Sequence, residues 1–142
     1  QLRFHRASGV PIYGTSHLFT GRVNSAQDRD MNGIVFGDTP WTLDAETPSA
    51  GLRHEVRRLL KRYPGSMQRL VAFGLDAYQL VPRLKLLDRY PNDRFRGETG
   101  TLHVDPDNRI QRQLIWARFR NGKPEVLPRT TIANPNTPDA DR

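Results

Sequence analysis

FRGETGTLHVDPDNRIQRQLIWARFRNGKPEVLP, residues 95–128, carries the clearest β signal in the chain. GTLHV, 100–104, reads as a strand, and DPDN, 105–108, as a turn whose Asp and Asn side chains bond their own backbone. From Arg109 to Phe119 the residues alternate as in a strand. Ile115, Ala117 and Phe119 fall on one face, and Leu114 and Trp116 on the other. Asn121-Gly122 is a two-residue hairpin signal, because both central positions of such a turn need positive φ. PEVL then returns. The expected product is an antiparallel three-stranded meander. Beyond Pro128, RTTIANPNTPDADR lacks apolar content, so 129–142 reads as a flexible tail.

Upstream lie two helical segments. In TPSAGLRHEVRRLLKRYPG, 47–65, Thr47 is placed to cap, Pro48 to take the first helical position, and Pro64-Gly65 to stop the helix. Leu52, Val56, Leu59 and Leu60 form an apolar stripe expected to face the core. Arg53, Arg57, Arg58, Lys61 and Arg62 form the densest basic patch in the chain. It is either a solvated helix face or a docking surface for an acidic protein, polyanion or lipid headgroup. In SMQRLVAFGLDAYQLVPRLKLLDRYP, 66–91, Ser66 is a candidate cap. Leu70, Phe73, Ala77, Leu80, Val81, Leu84 and Leu87 recur at helical spacing. Pro82 lacks the N–H a continuous helix needs, which predicts a kink near Tyr78 or two helices.

The amino-terminal third supplies two short strands. PIY, 11–13, leads into GTSH, which places Ser16 and His17 beyond a strand end, where ligands sit in open α/β sheets. The segment 18–30 reads as a polar loop. In DRDMNGIVFGDT, 28–39, Asp28, Asp30, Asn32 and Gly33 match the opening of a calcium loop. Its ninth and twelfth positions are Phe36 and Thr39, so the bidentate carboxylate is missing. The segment is therefore a turn followed by a buried strand that ends at Asp38. Trp41, just past it, either caps the core or lines a cleft.

With 142 residues the chain is long enough for one domain, and 11 Gly and 11 Pro indicate a loop-rich one. No apolar run reaches membrane-span length. The chain opens on Gln1, as expected of a processed form or a fragment. Zero cysteines exclude disulfides and thiolate metal sites. The net charge of +7 is almost all Arg, which reflects either an anionic partner or Arg-favouring codon usage.

No catalytic constellation is visible. Ser16 and His17 are neighbours whose side chains point to opposite faces of an extended segment. His5, His17, His54 and His103 are scattered without ligand spacing, and no phosphate or dinucleotide loop is present. The expectation is no enzyme, cofactor or metal. A nucleic-acid module would use the basic helix with Trp116 or Phe119 for stacking. These aromatics and arginines are not interleaved in any RNA-binding signature, so no nucleic-acid partner is expected.

VPIYGTSHLFTG (10–21), DMNGIVFGDTPWTLD (30–44), RLVAFGLDAYQL (69–80) and GETGTLHVDPDNRIQRQLIWARFRNGKP (97–124) together resemble the carboxy-terminal domain of the LppC/LpoA lipoprotein family. The last stretch is also similar to the end of branched-chain amino-acid receptors. The resemblance implies an α/β chain forming part of a type I periplasmic-binding-protein fold, a lobe with crossover helices and an antiparallel meander. Residues 1–128 would be the carboxy-terminal portion of that domain. It implies a non-catalytic outer-membrane lipoprotein, periplasmic in Gram-negative bacteria. Such a protein binds and activates a class A penicillin-binding protein and so regulates peptidoglycan synthesis. Its membrane attachment would be a lipid anchor outside this chain. Thr15, Ser16, His17, Asp38 and Trp41 would face the cleft. The other reading is a periplasmic receptor for a small amino-acid-like solute, but Leu75 stands where such receptors often carry an aromatic. An isolated piece would also leave apolar edges for a second copy to cover.

Overall fold

A computed structural model describes residues 10–90 and 92–128 of the chain. The elements run β1 (Tyr13–Gly14), β2 (Val35–Asp38), α1 (Ala50–Leu59), α2 (Met67–Leu80), α3 (Leu84–Arg89), β3 (Phe95–Arg96), β4 (Thr101–Val104), β5 (Ile110–Gln113), β6 (Ile115–Arg120) and β7 (Lys123–Val126). The expected tail, 129–142, lies outside the described residues.

The β region divides where the sequence reads as continuous. One sheet has the order β1-β2-β6-β7, and the other the order β3-β4-β5. A three-stranded antiparallel meander exists, but its strands are β3, β4 and β5. The 109–119 run is two strands that part at Leu114: Gln113 pairs with Thr101, while Ile115 pairs with Asp38. The reason lies in side-chain character. Every residue of β5 is exposed, so no apolar face holds it to the sheet that buries Ala117 and Phe119. The turn chemistry follows the sequence: Asn121 and Gly122 have φ of 52° and 70°, and Arg120 pairs with Lys123 across them.

The central strand β2 is buried throughout, parallel to β1 and antiparallel to β6. Phe36 stacks on Phe119 at 4.8 Å between ring centroids, and Phe19 meets Phe119 edge-on. With Leu43 and Ala117 these make one core; Leu80, Leu87, Leu102 and Val104 make a second beneath the other sheet.

Both long helices turn part of their expected apolar stripe outward, although Leu80 and, on α3, Leu87 are buried as expected and Val56 and Leu60 are half-buried. On α2 the buried residues are Gln68, Ala72, Asp76 and Leu80, whereas Leu70, Phe73 and Val81 are 63%, 55% and 70% exposed. On α1 the buried residue is Arg53, while Leu52 and Leu59 are exposed. Pro82 breaks the second segment as expected: a 3-10 turn, Val81–Arg83, joins α2 to α3. Thr47 and Ser66 do not act as side-chain caps. The Thr47 hydroxyl instead accepts a bond from Arg53 Nη2 at 2.9 Å.

Candidate functional site

Two polar clamps tie α2 to the strand ends. Arg69 reaches across to the carboxyl end of β2, where it donates through Nε to Asp38 Oδ1 at 3.0 Å and pairs with Oδ2. The same guanidinium donates to the carbonyls of Ser16 and Phe19 at 2.9 and 2.8 Å. Asp38 is fully buried and also accepts the Thr39 amide at 2.7 Å. Two turns further along α2, Asp76 accepts from the amides of Glu98 and Thr99 at 2.6 and 2.8 Å, and from the Thr99 hydroxyl. Gly97 permits this approach, because an added Cβ would stand 2.5 Å from Asp76 Oδ1. The GLDA and GETG stretches are thus the two halves of one contact.

Arg69 and Asp76 were not among the residues singled out from the sequence. A usable signal existed: Gln68, Arg69, Ala72 and Asp76 recur at helical spacing and place small and polar groups along one side of α2.

The five expected cleft residues separate. Thr15 and His17 are exposed in the turn after β1, and Ser16 is half-buried with its carbonyl on Arg69. Asp38 and Trp41 are sealed from solvent rather than facing open space. Asp38 is neutralised by Arg69, and Trp41 lies beneath the Arg53 guanidinium, 5.2 Å from its ring centroid. The calcium-loop lookalike also has local uses: Asp28 accepts the Asn24 amide at 3.2 Å, and Asn32 accepts Gly122 N–H at 3.1 Å.

The basic helix divides as well. Arg53 does not belong to the surface, because its charge is drawn inward by Asp44 at 2.6 Å, by the Ala45 carbonyl and by the Trp41 ring. Arg57 bonds Asp44 and Gln68, and Arg58 pairs with Glu55. Lys61 and Arg62 stay exposed. Partial burial pushes the Asp44 carboxyl up; hydrogen bonds and charge from Arg53 and Arg57 outweigh this and hold it below its ordinary value.

Two cavities flank this framework. One, of ≈ 470 Å³, opens beyond the carboxyl end of β2 between the two sheets; its walls include Pro40, Glu46, Arg96, Leu114 and Trp116. The other, of ≈ 620 Å³, lies between the end of α1 and the β6–β7 hairpin. None of Thr15, Ser16, His17, Asp38 or Trp41 lines either one.

The strand order, the crossover helices and the clamps at the strand ends define an α/β protein of the periplasmic-binding-protein kind. A structure described as "a putative branched-chain amino acid ABC transporter" from Chromobacterium violaceum matches 82% of this chain and 38% of its own, with TM-score 0.56 and 29% identity. The chain belongs to the family described as "LppC putative lipoprotein", whose model matches residues 1–122. The LpoA (YraM) C-domain from Haemophilus influenzae, a regulator of PBP1A, superposes with TM-score 0.69 at 25% identity, covering 82% of this chain and 36% of that one. The penicillin-binding protein activator LpoA of the same organism is 30% identical over 80% of this chain. The chain spans 19% of that relative's length.

Proposed function

We propose that this chain is the carboxy-terminal portion, residues 1–128, of a two-lobed domain from a non-catalytic outer-membrane lipoprotein. Facing the periplasm, that lipoprotein binds and activates a class A penicillin-binding protein and so regulates peptidoglycan synthesis. The observation that carries this reading is the family match over residues 1–122, joined to relatives named as activator and regulator. The geometry supports it in a second way. The polar groups on α2 are consumed in holding elements together, while apolar side chains on α1 and α2 face outward, as in a piece made to be covered. The test is a pull-down with a purified class A penicillin-binding protein and an assay of glycan-strand polymerisation, using a protein that spans the relatives' full length. Retention and faster polymerisation are expected. No retention and an unchanged rate would sink the activator reading.

One observation favours a second reading, a solute receptor: the cavity between the sheets sits at the carboxyl end of β2, where α/β folds place ligands. Its test is thermal unfolding against a panel of amino acids, since a ligand that binds the native state raises the melting temperature.

A further inference from the structure

The groove between α1 and the β6–β7 hairpin combines an apolar floor with unspent positive charge. Its floor includes Phe19, Leu43, Leu60 and Pro64. Arg22, Arg57, Lys61 and Lys123 stand around it, against the single carboxylate of Asp44. The two arginines are already committed. Arg57 is paired with Asp44, and one Arg22 nitrogen donates to the carbonyls of Leu60, Lys61 and Tyr63 at the end of α1. The ammonium groups of Lys61 and Lys123 have no partner among the described residues. An arginine fork is the usual holder of phosphate; here Arg57 is spent on Asp44 and Gln68, and Arg22 is turned to the end of α1 through one nitrogen. The two compact ammonium charges beside an apolar surface suit carboxylates flanking a hydrophobic side chain.

We infer that this groove binds an acidic peptide segment, seating an apolar side chain over Phe19 and Leu60 with carboxylates against Lys61 and Lys123. Only the identity of the protein that supplies the segment rests on the activator reading. The chemistry of the groove stands on its own residues.

The experiment is fluorescence anisotropy with the labelled peptide Glu-Asp-Leu-Phe-Asp-Glu and its amide counterpart Gln-Asn-Leu-Phe-Asn-Gln. Each is titrated with the full chain and with its K61E/K123E variant. Both lysines are exposed, so the variant is expected to fold, and circular dichroism is the control for that. The expected result is saturable binding of the acidic peptide, weakened about tenfold or more by charge reversal, by the amide peptide, or by salt near 0.5 M. No saturable binding of the acidic peptide, or equal affinity for both proteins, overturns the inference. So does retention on phosphatidylglycerol vesicles that survives charge reversal while the peptide fails to bind. Peptide binding without synthase retention would leave the groove standing and remove only the proposed partner.

Discussion

At the scale of single residues, the Arg69–Asp38 pair joins a fully buried carboxylate to a mostly buried guanidinium. Asp38 is fully buried and the Arg69 side chain is only 21% exposed, so solvent screens the pair little. Removing the cation leaves a buried carboxylate facing one amide. Arg69→Met is expected to cost about 3 kcal/mol, read as a lower urea midpoint. Adding Asp38→Leu should then recover part of that loss, since the two effects are coupled. A simple sum of the two single losses would mean that the groups act independently. A second residue-scale prediction concerns acid. The Gln111 side-chain amide, then the Arg109 backbone N–H and guanidinium, hold the Asp105 carboxyl down at about 2. The folded value lies below the unfolded one of about 3.9. The stabilisation is therefore complete above that unfolded value and fades as pH falls from about 4 towards 2. A carboxyl-carbon NMR titration should place the midpoint there, and Gln111→Ala should move it upward; an unmoved midpoint would refute the cause assigned.

Among elements, α2 is held by what its buried face donates and accepts rather than by the apolar area it hides. Asp76 alone satisfies two buried backbone amides and a hydroxyl in the loop between β3 and β4. Asp76→Ala strands those donors, each worth about 1–3 kcal/mol when left unpaired. The variant should melt well below the parent, and hydrogen exchange at Glu98 and Thr99 should become fast. Protection unchanged at both amides would show that the loop is ordered without the clamp. A comparable connection ends α1, where Arg22 donates to the carbonyls of Leu60 and Lys61, just past the last helical residue. Helical spacing made both helices legible in advance. Which side turned inward was not, because a stripe of leucines and a stripe of Gln, Arg, Ala and Asp have the same period.

For the whole molecule, the outward leucines and aromatics carry the consequence. Leu70 and Val81 protrude in this chain, so Leu70→Ser and Val81→Ser should change its stability by no more than about 0.5 kcal/mol while reducing self-association in analytical ultracentrifugation. In a protein long enough to complete the domain, the same substitutions should cost about 2 kcal/mol or more, as in any packed core. Equal effects in the two settings would show that the stripe is never covered. Local chemistry in the sequence determined the turns at 105–108 and 121–122, the break at Pro82 and the alternation along 115–119, because each depends on preferences within a few residues; the family likeness was legible as well, because it lies in the order of residues along the chain. Tertiary structure alone decided that the long strand divides between two sheets, that Asp38, Trp41 and Arg53 are internal, and that Lys61 meets Lys123 across a groove. Those outcomes depend on partners tens of residues away, and on whether enough apolar surface is present to claim each face.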